Sequence, residues 1–167
     1  MRARRRRRAF TLLNLLVSVA VLGVLSGLAV VSLAPDDGAR VIGAAQMLAS
    51  DLEYAQALSL ADPDRPAVLR LDTGAEGYWI ARVEEPDTPV LDPAGNPVVR
   101  LFGLEDAAHL VDVDLEIISG ATDGWVEFDG FGRLTELAAA VLEVRLGDEA
   151  RRVRVSSATG FASIEIP

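Results

Sequence analysis

The sequence predicts an α+β protein in which a long N-terminal helix packs on a C-terminal antiparallel β-sheet domain. An uncharged apolar run comes first, a helical pattern with one apolar face follows, and short β-rich segments separated by turns occupy the rest. With 167 residues the chain has room for one modest domain and an anchor. We expect four parts: a basic leader at 1–9, a hydrophobic helix at 10–34, a break and amphipathic helix at 35–62, and a β domain at 63–167.

Charge divides the chain sharply. Arg2 and the run from Arg4 to Arg8 are six of its 16 basic residues, and the net charge is −9, so everything after Arg8 carries −15. Such an acidic body excludes a nucleic-acid surface, which needs clustered cations. The arginines instead precede an apolar run, and this arrangement holds the N-terminus in the cytoplasm. No cysteine is present, which excludes disulfides, thiolate catalysis and cysteine-bound metals.

The apolar run from Phe10 to Ala34 is 25 residues without a charge. As a helix it would extend roughly 37 Å, which is more than the ~30 Å hydrocarbon core of a bilayer. One interpretation is a plain single-pass anchor with the remaining chain on the extracytoplasmic side. Another is a cleaved signal peptide, with a twin-arginine core at Arg7–Phe10 and a small-residue cleavage site at Ser32–Ala34, although the run exceeds the expected h-region.

A third interpretation comes from residue order. A basic leader, a small residue and then Phe-Thr-Leu-Leu-Asn-Leu-Leu-Val resemble the class III signal of type IV pilins and type II secretion pseudopilins. The resemblance implies cleavage by a prepilin peptidase between Ala9 and Phe10 and methylation of the new amine on Phe10. It also implies a helix held by inner-membrane lipid, with the C-terminal domain periplasmic, until it assembles with other pilin or pseudopilin subunits. The residues that match the family pattern are Thr11, Leu12, Leu13, Leu15, Leu16 and Val17.

The signal departs from the family pattern at two positions. Ala9 stands where glycine is usual, and Asn14 stands where the family has a glutamate that pairs with a neighbour's N-terminal amine. An amide accepts a hydrogen bond from that amine but cannot neutralise it. Asn14 therefore favours a tip or low-abundance subunit over a filament-shaft subunit. The break at Pro35 is a third departure, because the first helix of a pilin is long and gently bent.

The second helix is predicted from Ala39 to Ala61, between a Pro-Asp-Asp-Gly break and a second proline-rich stop at Asp62–Pro66. Its polar residues Arg40, Gln46, Asp51 and Glu53 are placed largely off the apolar face. That face consists of Val41, Ala45, Leu48, Leu52 and Ala55.

Strands are predicted over the β-rich segments, and residues 84–97, with four prolines, are predicted to be a loop. The predicted strands are Ala67–Asp72, Gly77–Val83, Val98–Phe102, Val113–Ile118, Trp125–Asp129, Val141–Leu146, Arg152–Ser156 and Phe161–Ile166. Hairpin turns are expected at Asp129–Gly132 and Gly147–Glu149. Gly124–Arg133 resembles a strand and glycine turn of GspH/FimT-type minor pseudopilins, and Arg151–Val155 with Thr159–Phe161 resembles their final hairpin.

Residues suited to catalysis or metal binding are sparse. His109 is the single histidine and is expected on a surface or loop. Two carboxylate pairs lack the further oxygens of a calcium loop, so we predict no metal or cofactor. The pairs are Asp62 with Asp64 and Asp112 with Asp114. The larger aromatics, expected in the core or between helix and sheet, are Trp79, Trp125, Tyr54 and Tyr78.

The sequence thus predicts a non-enzymatic minor pilin or pseudopilin, a structural subunit of a type II secretion or type IV pilus machine. The alternative is a membrane-anchored extracytoplasmic binding module with an uncleaved anchor. Processing at Ala9–Phe10 separates the two.

Overall fold

The computed structural model describes residues 15–23, 36–72, 74, 77–121 and 124–167. It divides the chain into two units at Pro35/Asp36. In the first unit, residues 15–23 are helical, and every one of them is exposed. Ala9, Phe10, Asn14 and Pro35 lie outside the described residues. Among the residues that are described, no helix is both long and apolar enough to cross a membrane.

The second unit begins with helix α1, Asp37–Ala61. Asp36 precedes it with an extended backbone, and its carbonyl accepts from the N–H groups of Ala39 and Arg40. Asp37 lies in the first turn, where a negative charge complements the helix dipole. The Asp62-Pro63 step ends the helix, because proline cannot continue it. The helix starts two residues before the predicted Ala39 and ends at the predicted Ala61.

The strands form two antiparallel sheets, whereas the sequence suggested one. The first sheet has the order β3-β2-β1-β6, and β4 also pairs with β2. Its strands are β1 Ala67–Leu71, β2 Gly77–Arg82, β3 Glu85–Pro89, β4 Val99–Leu101 and β6 Trp125–Glu127. The second sheet has the order β5-β7-β8-β9. Its strands are β5 Asp114–Ser119, β7 Ala140–Leu146, β8 Glu149–Val155 and β9 Ala162–Glu165.

One hydrophobic core joins α1 to both sheets. The predicted apolar stripe of α1 is fully buried, from Val41 to Ala55. The helix packs on β1 of the first sheet and on β7, β8 and β9 of the second. The largest fully buried side chains include Tyr78, Phe128, Leu48, Leu52, Leu69, Ile80 and Leu142. The predicted fold class, a helix on antiparallel sheet, is therefore confirmed.

The loop predicted at 84–97 is wrong in part, because β3 lies within it. Pro86 and Pro89 are compatible with a strand here since β3 is an edge strand, with one side that needs no donor. Its attachment is reinforced by side chains of the neighbouring strands. The indole N–H of Trp79 donates to the carbonyl of Pro86 at 2.9 Å, and Arg70 pairs with Asp87.

The aromatic residues divide between the two faces of the first sheet. Tyr78 is fully buried, as predicted. Trp79 and Trp125 are only half-buried, because they alternate with core residues and so lie on the opposite face. The register places Arg70 between them, with its guanidinium carbon 5.2 Å and 4.9 Å from the two ring centroids. This stack explains why the prediction of core packing fails for both tryptophans.

Candidate functional site

The described part of the hydrophobic segment is a stretch of uncovered apolar helix. Its larger side chains are each at least half exposed: Leu15 56%, Leu16 62%, Val17 52%, Val19 62%, Val21 51% and Leu22 63%. Contiguous apolar surface of this kind marks contact with a membrane or with another protein. The segment is thus the first candidate for a functional surface.

The outward face of α1 is also unusual, because it is nearly free of charge. Between Val41 and Ala61 the exposed residues are Ile42, Gln46, Ser50, Glu53, Ala57, Leu60 and Ala61. Only Glu53 carries a charge, although solvent-facing helix surfaces are normally rich in charged residues. Small or uncharged side chains on an exposed ridge allow a second helix to approach closely.

Asp51 lies on the opposite, buried face of α1, and its predicted position off the apolar stripe is wrong. It follows Leu48 by three residues and precedes Ala55 by four, so it shares their face. Its Oδ2 accepts from the hydroxyl of Tyr78 at 2.8 Å and from Nε of Arg100 at 3.0 Å. These partners satisfy the carboxylate and permit a charge within the core.

The Asp51 network extends to a third element. Arg100 also bonds Asp106, in a short 3-10 turn, at 3.1 Å. Burial, and after it the charge of Asp51, raises the pKa of Tyr78 well above its ordinary value, so the phenol stays neutral and donates. The network ties α1 to β2, β4 and the turn. It holds elements together and brings no nucleophile to a general base.

Near the C-terminal end of α1, Gln56 joins two glycine turns that are distant in sequence. Its side-chain amide donates to the carbonyl of Gly132 at 2.7 Å and to that of Thr159 at 2.6 Å. Gly132 and Gly160 both have positive φ, +71° and +69°. A Cβ on Gly160 would lie 1.9 Å from the Gly132 carbonyl oxygen, so the two turns meet at a distance that only glycine permits.

Both predicted hairpin turns are present. Asp129 accepts from the backbone N–H groups of Phe131 and Arg133, each at 2.9 Å, and so fixes the first turn with its own side chain. Leu146 pairs with Glu149 across the two-residue turn at Gly147 and Asp148. Two glycine turns belong to the segments that resemble GspH/FimT-type proteins, namely Gly130–Gly132 and Thr159–Phe161. They meet at Gln56, and no sequence pattern predicted this contact.

The remaining predicted residues do not converge on a reactive centre. His109 is exposed in the turn that follows the 3-10 turn, as expected. Across the described ranges no three histidine or carboxylate side chains gather into a metal site. Ala9, Phe10 and Asn14 are not among these residues, so their predicted roles stay predictions.

The sequence matches one family model, the prokaryotic N-terminal methylation motif, over residues 4–30. This range includes Ala9, Phe10 and Asn14. No curated protein sequence matches the chain significantly.

The chain resembles several solved structures. It is similar to the type IV minor pilin FimU of Pseudomonas aeruginosa, with 16% identity and a TM-score of 0.50 over 76% of this chain and 87% of that one. It is also similar to the minor pseudopilin EpsH from the Type 2 Secretion System of Vibrio cholerae, with 11% identity and a TM-score of 0.46 over 79% of this chain and 97% of that one. The chain thus carries a prokaryotic N-terminal methylation motif and shares the helix-on-sheet fold of a type IV minor pilin.

Proposed function

We propose that the chain is a minor pilin or pseudopilin, a structural subunit of a type IV pilus or type II secretion machine, and not an enzyme. The observation that carries this proposal is the methylation motif at residues 4–30, which spans the Ala9–Phe10 junction. The fold shared with a minor pilin supports it. So does the exposed apolar helix at 15–23, which needs lipid or partner helices to cover it.

In this proposal the protein lies in the inner membrane as a single-pass precursor. Arg2 and Arg4–Arg8 keep the leader, residues 1–9, in the cytoplasm, and the acidic unit from Asp36 onward is periplasmic. The helix at 10–34 contacts lipid before assembly and helices of other pilin-like subunits afterwards. The low-charge outward face of α1 is a second surface suited to contact with partner helices. The sheets, including the GspH/FimT-like turns, form the part outside the membrane.

Processing gives the first test. We expect the mature chain to begin at Phe10 with a methylated amine, because the leader ends in a small residue directly before the apolar run. Intact-mass measurement and N-terminal sequencing of membrane-extracted protein from cells with a prepilin peptidase check this. Ala9→Gly should be processed faster, and Ala9→Leu, bulky at the same position, should stay uncut. A chain that still begins near Met1 contradicts the proposal and leaves the plain anchor; a start at Pro35 indicates an ordinary signal peptidase.

Asn14 supports a position at the tip or in initiation. A carboxylate here would neutralise a neighbour's N-terminal amine, and that attraction is strong where the dielectric constant is low. Asn14 accepts a hydrogen bond but supplies no charge. A subunit without the carboxylate is disfavoured in the shaft. It is suited to the end of a filament, where it has no neighbour's amine to neutralise.

We therefore expect few copies of the wild-type protein per filament, and Asn14→Glu should enter filaments more uniformly. Asn14→Gln is the matched control, because it has the length of glutamate without its charge and should keep the low copy number. Quantitative immunolabelling along isolated filaments measures both. Wild-type protein at high copy number along the whole filament would contradict the tip position and leave the pilin-like assignment unchanged.

A further inference from the structure

The outer edge of the second sheet, strand β9, has no partner strand among the described residues. β9 pairs only with β8. The carbonyl of Phe161 accepts from the N–H of Ser156 at 3.0 Å. Because antiparallel bonding repeats every second residue, Ser163 and Glu165 also direct their backbone groups to β8. The N–H and C=O of Ile164 therefore point outward, away from the sheet.

Three other sheet edges in the described part of the chain are better protected. β3 carries two prolines, β5 carries two acidic residues, and on β6 the carbonyl of Glu127 already accepts from Thr135 at 3.0 Å. Edge strands avoid unwanted pairing through such prolines, charges and covering loops. β9 has one charge, Glu165, and exposed apolar residues within the strand or directly beside it. These are Phe161 at 59%, Ile164 at 43% and Ile166 at 80%.

Two cross-strand rows end at this edge. The row on the core side is apolar throughout and consists of Ile117, Leu142, Val153 and Ile164. Leu142 and Val153 are fully buried, but Ile164 remains 43% exposed although it faces the same side. The exposed part of Ile164 lies at the outer edge of the sheet, where a side chain of a further strand would pack against it. An added strand would therefore present an apolar residue opposite Ile164.

The row on the other face is charged. It consists of Glu116, Glu143, Arg152 and Glu165. Nε of Arg152 donates to Glu143 at 2.9 Å, and Arg145 also pairs with that buried carboxylate. No described side chain forms an ion pair with Glu165, which ends the row exposed. Opposite charges stabilise directly facing pairs, so the position opposite Glu165 on an added strand suits lysine or arginine.

We propose that β9 accepts an additional strand from another protein, an extended segment in which apolar residues alternate with basic ones. Main-chain bonds to Ile164 provide affinity, and the two rows provide specificity. A second copy of this chain is a poor occupant, because the sequence after Arg8 carries −15 and like charges repel. This surface belongs to the second unit, and the inference does not depend on the proposed function.

The first test uses the full-length protein in neutral detergent and a fluorescent peptide of seven residues that alternates valine with lysine. Fluorescence anisotropy should show saturable binding. A second peptide has the same side chains but is N-methylated at its valines, the residues that lie opposite Ile164. It keeps the charge and loses the hydrogen-bonding edge that would face β9, so it should bind at least roughly tenfold more weakly. Equal affinity for the two peptides would show that charge alone attracts them and would overturn the proposal, as would absence of binding.

Two variants place the binding at β9. Ile164→Pro removes the outward N–H without removing a bond to β8, so it should weaken binding about tenfold. Leu137→Pro, at a residue 99% exposed outside every strand, is the matched control and should bind normally. Glu165→Arg should bind a valine–glutamate peptide in preference to the valine–lysine peptide. An unchanged preference in Glu165→Arg would overturn the proposal even if Ile164→Pro failed to fold.

Discussion

Gly160→Ala is expected to reduce the free energy of unfolding by about 4 kcal/mol, a loss large enough to unfold many domains. The new Cβ would lie 1.9 Å from the carbonyl oxygen of Gly132 and 2.4 Å from the side-chain nitrogen of Gln56. The backbone oxygen cannot move without displacing its turn. Both hydrogen bonds of Gln56 would be lost as the turns separate. Urea unfolding of the unit from Asp36 to Pro167, monitored by circular dichroism, measures the change in the free energy of unfolding.

Gly147→Ala is the matched control for this prediction. Gly147 also has a positive φ, +58°, but nothing lies within 4 Å of the position that a Cβ would take there, so the variant reports the backbone strain alone. That strain amounts to about 1 kcal/mol. Equal losses in the two variants would show that φ, and not the close contact of the turns, explains the need for glycine at position 160.

Asp51→Ala is expected to reduce the free energy of unfolding by about 3 kcal/mol. It leaves the buried hydroxyl of Tyr78 and the guanidinium of Arg100 without their shared acceptor. The expected loss is at the lower end for a broken buried pair, because the Arg100 side chain is 23% exposed and water reaches it. Asp51→Asn should lose less, since its amide oxygen still accepts one of the two bonds.

Tyr78→Phe provides the comparison for the Asp51 variants. It removes one hydrogen bond, keeps the ring in the core, and leaves Asp51 paired with Arg100, so a loss of about 1 kcal/mol is expected. Urea unfolding of the same unit measures all three variants. A loss in Asp51→Ala no larger than that in Tyr78→Phe would contradict a role for the ion pair with Arg100.

Local patterns predicted most of the fold. The spacing from Val41 to Ala55 indicated the buried face of α1, since helical periodicity and burial coincide there. The strand segments were identified by β-branched residues and by glycine turns. β3 was missed because proline argues against a strand unless the strand is known to lie at an edge. The separation into two sheets depends on which strands pair, and single-sequence patterns do not specify that.

The buried polar contacts were beyond the reach of sequence patterns for a related reason. Asp51 looked like an exposed charge because nothing in the sequence indicates that Tyr78 and Arg100 lie opposite it. Nothing in the sequence distinguishes Gln56 from other helix residues, and only the fold brings two glycine turns, 76 and 103 residues away, to its side chain. By contrast, Ala9, Phe10 and Asn14 were identified from a contiguous motif, which requires no tertiary information.

The way α1 is seated has a mechanical consequence. Its buried residues run from Val41 to Ser59, roughly 27 Å of helix, and contact strands of both sheets. A tension applied at Asp36 along the helix axis would load these contacts in shear, many at once, and would not peel them apart one after another. Gln56 bonds the C-terminal part of the helix to two glycine turns, so this part of the helix is also held in place. A subunit pulled by its N-terminal end would thus transmit force through α1 into the sheets before its fold yields.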